Sequence, residues 1–115
     1  MGPQKETIKT RQIRVSTNAF HNIYEISRYL AFINKQPLNA IKVGDAIFKT
    51  IDRIEQNPFA FKECKQIPTK TKMYRQAVCL SWKIIFKITV TEIIILGVIH
   101  GARNPSKIKA LGKVK

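Results

Sequence analysis

The sequence predicts an α+β fold in which a helical hairpin packs on a small, mainly antiparallel sheet. Two long stretches, residues 18–33 and 37–57, repeat apolar residues at helical spacing. Beyond residue 73 the pattern changes to alternating or continuous apolar runs of strand length. With a short strand ahead of the helices, the predicted order is β-α-α-β-β-β.

The N-terminal part is predicted to contain a leader, an edge strand and the first helix. Residues 1–8 are predicted to be a flexible leader, and residues 9–15 a short edge strand. Ser16-Thr17-Asn18 then offers N-cap chemistry, because a side-chain oxygen there can accept a hydrogen bond from a free helical N–H. The first helix is predicted to run from Asn18 to Ile33. Its apolar stripe consists of Ala19, Ile23, Ile26, Leu30 and Ile33.

The second helix is predicted to begin at Pro37, whose missing N–H is not needed in a first turn, and to end before Pro58. Its apolar stripe consists of Ala40, Val43, Gly44, Ile47, Ile51 and Ile54. Because Gly44 lies on this stripe and has no side chain, we expect another helix to approach it closely. The short break between the helices predicts an antiparallel hairpin.

Three strands are predicted after the hairpin, at residues 74–80, 82–89 and 92–100. The second alternates apolar residues with Lys83 and Lys87, so that one face is apolar and the other partly basic. The third is apolar on both faces, as is typical of a central strand that is covered on each side. Residues 9–108 are therefore predicted to form one domain, followed by a basic tail at residues 109–115.

Composition indicates a folded and strongly basic protein. Hydrophobic residues make up 44% of the chain, which is close to the globular norm. Twenty-one Lys and Arg stand against seven Asp and Glu, for a formal net charge of +14. So much like charge in a small domain favours an anionic partner, such as nucleic acid, the ribosome surface or an acidic protein. The alternative is that the charge only aids solubility.

The sequence argues against several kinds of site and location. Cys64 and Cys79 fit neither a disulfide framework nor a metal site, and they favour a reduced, cytoplasmic location. Neither a glycine-rich phosphate loop nor a nucleophile elbow occurs, so that no cofactor or metal is predicted. The longest apolar stretch, Ile93 to Ile99, is too short to cross a membrane.

The end of the third strand carries the first candidate for chemistry. His100 closes the strand, and Arg103 follows three residues later. Histidine can transfer protons near neutral pH, and arginine can grip a phosphate or carboxylate with paired hydrogen bonds. The alternative is structural: His100 bonds the backbone at the strand end, and Arg103 pairs with Glu92 or with a helix end.

The second candidate is a basic run from Lys62 to Lys87 that contains a single acid. Its lysines supply sequence-independent attraction for phosphates, and its aromatic residues could stack on exposed bases. These aromatics are Tyr74, Trp82 and Phe86. Phe86 shares a face with neighbouring isoleucines, which favours a place in the core. The residues predicted to bind nucleic acid or another target are Lys70, Lys72, Lys83 and Lys87.

The C-terminal third resembles the RelE/ParE superfamily of bacterial toxins. The resemblance is carried by Tyr74-Arg75, by the strand that begins at Trp82, and by the stretch from Glu92 to the ending His100-Gly101-Ala102-Arg103-Asn104-Pro105. The helical hairpin that closes at Asn57-Pro58 also fits, so that the resemblance covers about residues 9–108. It implies the toxin of a type II toxin–antitoxin (plasmid stabilisation) pair and a small antitoxin that wraps and neutralises it.

The resemblance implies one of two activities. RelE-like members cleave mRNA in the ribosomal A site; Arg75 and Arg103 would then stabilise the developing phosphorane charge, and His100 would be general acid or base. ParE-like members inhibit DNA gyrase and are not nucleases. No tyrosine follows Tyr74, and the His-x-x-Arg ending is similar to the ParE type, which favours a gyrase-directed toxin. The ribosome-dependent nuclease is the alternative, and an inactive interaction module with the same fold is the third hypothesis.

Overall fold

The computed structural model describes residues 11–101 and 105–115 and confirms the predicted α+β fold. The helices and longer strands are β1 (Gln12–Val15), α1 (Thr17–Arg28), α2 (Pro37–Gln56), β2 (Lys62–Glu63), β3 (Tyr74–Cys79), β4 (Trp82–Ile88), β5 (Glu92–His100) and α3 (Pro105–Ala110). A π-helical turn, Tyr29–Ile33, continues α1, and single 3₁₀ turns lie at Pro58–Ala60 and Leu111–Lys113. The predicted order therefore holds, with β2 and α3 as additions.

The sheet is mixed and has five strands in the order β1-β5-β4-β3-β2. β1 runs parallel to β5, and the other neighbours are antiparallel. The predicted three antiparallel strands are present as β3, β4 and β5, and the predicted edge strand joins them beside β5. Residues 9 and 10 of that predicted edge strand lie outside the described residues.

The helical hairpin forms as its caps and most of its stripe residues predict, although Ile33, the last residue of the first predicted stripe, is 59% exposed. Ser16 is the N-cap of α1, and its Oγ accepts a 3.0 Å hydrogen bond from the backbone N–H of Ala19. Pro37 occupies the first turn of α2. The expectation for Gly44 was wrong, because a Cβ built there would meet no atom within 4 Å. Gly44 borders an open groove between the helices instead of a tight helix crossing.

Each face of the sheet is covered, as the doubly apolar β5 predicts. The larger core lies between the sheet and the hairpin and contains Phe86, which is fully buried and meets Phe61 edge to face at 5.8 Å. The second core lies on the opposite face, where Ile108 and Leu111 pack on the sheet. The segment predicted as a basic tail thus contributes a core residue, Leu111, whose side chain is only 6% exposed.

A β-bulge in β5 determines which face the end of that strand presents. Ile85 pairs with Gly97 but Phe86 pairs with Ile95, so that Leu96 is the extra residue. After the bulge Val98 returns to the hairpin-side core, which places His100, two residues on, at the same face. The carbonyl of Leu96 accepts hydrogen bonds from Asn18 Nδ2 at 2.9 Å and from Ser16 Oγ at 3.2 Å, so that the start of α1 braces the bulge directly.

Candidate functional site

His100 is exposed at the last position of β5, directly opposite Trp82 of β4. The two rings meet edge to face, with centroids 5.6 Å apart and an interplanar angle of 86°. Both residues line a cleft of about 540 Å³ together with Glu25 of α1 and with Tyr29 and Asn34 of the turn that follows α1. The predicted strand-end residue is therefore displayed beside a cleft, in contact with an aromatic ring.

Arg75 lies on β3 and is occupied by backbone carbonyls. Its Nε donates to Lys72 O at 2.9 Å, and its Nη1 donates to Phe61 O at 2.9 Å and to Phe59 O at 3.1 Å. The guanidinium also lies 5.4 Å from the centroid of the Phe59 ring. These contacts hold the loop before β3 and the turn after α2 against the sheet. The side chain of Arg75 therefore has a structural role.

The structure does not bring Arg75 and His100 together. Arg75 pairs with Phe86 on β4, whereas His100 pairs with Trp82 at the other end of that strand. Four residues of strand separate the two positions, which is roughly 13 Å at the usual rise per residue. Arg103, the third candidate, lies outside the described residues. Its suggested partner Glu92 forms an ion pair with Arg14, at 3.2 Å and at the opposite end of β5 from His100.

The predicted binding lysines fall in two places. Lys70 and Lys72 are exposed on the loop before β3. Lys83 and Lys87 are half-buried on β4 and alternate with the residues of the hairpin-side core, so that they face the other way. The Nζ of Lys87 lies 5.6 Å from the centroid of the Tyr74 ring.

The aromatic residues of the basic run are mainly buried. Phe86 is core, as its alternation favoured. Tyr74 is 8% exposed, and its hydroxyl donates to the carbonyl of Gly112 at 3.3 Å, so that it has no face open for a base; the stacking prediction is wrong for this residue. Trp82 keeps an exposed part in the cleft beside His100.

Cys64 and Cys79 are free and buried. Cys79 lies in the hairpin-side core and Cys64 in the core on the opposite face, so that the sheet separates them. Burial raises the pKa of the Cys64 thiol, and the positive charge of Lys83 opposes that rise. Both thiols are therefore packing residues in this fold, and neither is a displayed nucleophile.

An apolar groove between α1 and α2 is the feature that the sequence prediction missed. It measures about 560 Å³ and is lined by exposed side chains of both helices. The large ones are Tyr24 (61% exposed), Phe32 (71%), Ile41 (62%) and Phe48 (43%). Ile41 and Phe48, which lie two helical turns apart on one side of α2, are the sequence signal that marks it.

Phe59, at the turn after α2, also lies beside a second arginine. The guanidinium of Arg11 is 5.2 Å from the ring centroid, and its Nε donates to Thr89 O at 2.8 Å. Two arginines thus share one half-exposed ring near the start of β1 and the start of β3. These two cation–π contacts hold the turn after α2 against the residues at the start of β1 and of β3.

A membrane-spanning helix and a metal-binding cluster are both absent from the part of the chain that the structure describes. No helix within residues 11–101 and 105–115 is long and apolar enough to span a membrane. The same residues contain no group of three or more His, Cys, Asp or Glu that could hold a metal ion.

Comparison with known proteins gives a family and a fold. The family model described as the ParE toxin of the type II toxin–antitoxin system parDE matches residues 13–105. Among solved structures, a chain of the chromosomal ParDE toxin–antitoxin system from P. aeruginosa superposes on this protein with a TM-score of 0.63. The two sequences are 17% identical, and the superposed region covers 81% of this chain and 98% of the P. aeruginosa chain. A search of curated proteins found no match.

Proposed function

Because the chain belongs to the ParE toxin family of type II toxin–antitoxin systems, we propose that it arrests bacterial growth by inhibiting DNA gyrase in the cytoplasm and that a cognate antitoxin neutralises it. The family membership supports the role of a toxin in a type II toxin–antitoxin system.

The groove on the helical hairpin is the observation that supports an antitoxin. Exposed aromatic and aliphatic side chains line the groove. Contact between this apolar surface and water is unfavourable, and a partner that covers the groove would remove it. An amphipathic helix fits such a groove, with apolar residues every three or four positions. The toxin's net charge of +14 favours acidic residues on the outer face of that helix. The solved relative belongs to a ParDE system, which is in keeping with this partner.

The arrangement of the candidate residues favours a protein target over RNA cleavage. General acid–base catalysis needs its groups within hydrogen-bonding reach of one substrate. Arg75 uses its Nε and Nη1 on three carbonyls, and about 13 Å of strand separates it from His100. A surface that binds gyrase needs no such convergence. The ribosome-dependent nuclease remains the second candidate, favoured by the exposed Lys70 and Lys72.

Induced expression in a bacterial host separates the two activities. Gyrase inhibition predicts filamentous cells, a DNA damage response and intact mRNA, together with loss of supercoiling by purified gyrase when the purified protein is added. Rapid translation arrest with mRNA cut at codons, abolished by His100→Ala, would replace the gyrase proposal with the nuclease. Normal growth on expression of the folded protein would contradict both and leave the inactive module.

The antitoxin is tested in the same host. Each short open reading frame that adjoins the toxin gene is co-expressed, and we expect one of them to restore growth and its product to co-purify with the toxin. Failure of every neighbouring frame to restore growth would contradict the neutralisation proposal.

A further inference from the structure

The cleft beside His100 combines flat apolar surface with polar groups at its rim. Trp82 and His100 come from the ends of β4 and β5, and Glu25, Tyr29 and Asn34 come from the end of α1 and the turn that follows it. At about 540 Å³ it is large enough for a nucleotide base and its sugar. We propose that this cleft binds the guanine base of a nucleotide, a property that goes beyond the toxin activity proposed above.

The cleft offers aromatic surface on which a base can stack. Trp82 is half-buried, and its edge-to-face contact with His100 holds the indole in place. Tyr29 is 54% exposed, and the side chains of Ile26 and Leu30 complete the apolar part of the lining. Aromatic side chains stack on any base with similar strength, so that the polar groups of the cleft must choose among bases.

Glu25 and Asn34 match the hydrogen-bonding edge of guanine. Guanine presents two neighbouring donors, the ring N1–H and the 2-amino group, which suit a carboxylate that accepts with both oxygens. Its O6 acceptor suits an amide N–H₂ such as that of Asn34. The Glu25 carboxylate is half-exposed and contacts Arg28 Nε at only 3.9 Å, so that most of its acceptor capacity is open to a ligand. Adenine would place its N1 acceptor against the carboxylate, which is unfavourable.

Charge distinguishes a nucleotide from a cation. A carboxylate among aromatic rings also suits an ammonium group. The whole protein carries a net charge of +14, however, which repels cations and attracts phosphate. The guanidinium of Arg28 lies 3.9 Å from the Glu25 carboxylate but lines the hairpin groove, so that the attraction for a phosphate at this cleft comes from the net charge of the protein. The same base occurs in a free nucleotide and in single-stranded RNA, so that the test includes both.

Trp82 is the only tryptophan in the sequence, and its fluorescence therefore reports on this cleft alone. We expect guanosine monophosphate to quench it and adenosine monophosphate to bind at least about tenfold more weakly, because the two hydrogen bonds to the carboxylate are lost. Glu25→Gln should weaken guanosine monophosphate binding by about tenfold or more. The control is Glu55→Gln, at an exposed carboxylate on α2, which should leave binding unchanged. A pentaribonucleotide with a single guanosine distinguishes the sources: tighter binding than the mononucleotide assigns the site to RNA, and equal binding assigns it to the free nucleotide.

Several results would overturn the proposal. Equal affinity for the guanosine and adenosine monophosphates would remove the role of Glu25 and Asn34, as would an unchanged affinity in a folded Glu25→Gln variant. Quenching by tetramethylammonium in place of the nucleotides would assign the cleft to cations. Equilibrium dialysis with labelled guanosine monophosphate covers binding that does not alter the fluorescence, and no retention at millimolar concentration would refute the site. Gyrase inhibition is measured separately, so that either proposal can fail alone.

Discussion

The side-chain carbonyl of Asn22, on α1, accepts a 3.0 Å hydrogen bond from the backbone N–H of Val98, on β5. Val98 is the second residue after the bulge at Leu96, where the strand is shifted in register relative to β4. At the bulge itself Asn18 Nδ2 donates to Leu96 O at 2.9 Å. Two asparagines one helical turn apart thus hold the bulge that sets the orientation of His100.

Removal of the Asn22 amide should destabilise the fold. In Asn22→Ala the N–H of Val98 loses its partner in a partly buried place, which costs about 1–3 kcal/mol. The free energy of unfolding in urea measures this loss. Asn39→Ala is the matched control, because Asn39 is exposed and its amide donates a 3.2 Å hydrogen bond to the exposed side chain of Gln36. Equal stability of the two variants would mean that the bulge does not depend on Asn22.

Gly97 and Gly44 should respond in opposite directions to alanine. A Cβ at Gly97 would lie 2.8 Å from Leu111 Cδ2 and 3.0 Å from Asn22 Oδ1, so that the second core must shift at a cost of about 1–3 kcal/mol. A Cβ at Gly44 meets nothing within 4 Å, and alanine in the helix should stabilise by about 0.5–1 kcal/mol. Thermal unfolding of both variants checks the pair. Destabilisation by Gly44→Ala would show that the open groove is closed in solution.

Arg75→Ala should lower the free energy of unfolding, because the side chain has a structural role in the fold. Three backbone carbonyls lose their donor, and we expect a cost of about 1–3 kcal/mol by urea unfolding. Arg75→Lys should lose almost as much, since one ammonium cannot match the planar fork. A variant that is as stable as the parent yet has lost toxicity would contradict this structural role and place Arg75 in the target contact.

A charge in the hairpin groove should separate toxicity from neutralisation. Ile41→Glu adds a carboxylate to a groove that is proposed to take an acidic, amphipathic helix, so that antitoxin affinity should fall at least about a hundredfold, from a lost apolar contact and a buried charge. Isothermal titration and growth on co-expression measure the effect. Val90→Glu is the control, at an exposed residue between β4 and β5 (83% exposed) that is remote from the groove. Equal neutralisation of both variants would exclude the groove as the antitoxin site.

Local patterns made much of the fold predictable. The stripes at 19, 23, 26, 30 and at 40, 43, 47, 51, 54 led directly to the two helices, because helical periodicity depends only on residues three or four apart. The bounds of β5 agreed with prediction because its apolar run ends at His100. The site was less predictable. The three bonds of Arg75 join residues that are 3, 14 and 16 positions away, and nothing in the local sequence marks such partners.

The sequence by itself determined the element order, the family resemblance and the presence of one strand covered on both faces, because each follows from residue type and short-range spacing. Only the tertiary structure decided the parallel docking of β1 on β5, the bulge at Leu96 and the face on which His100 lies. It also decided that Arg75 and His100 are far apart and that Trp82 and His100 touch. These relationships depend on strand register and on contacts between residues distant in the chain, which arise only when the whole sheet and both cores assemble.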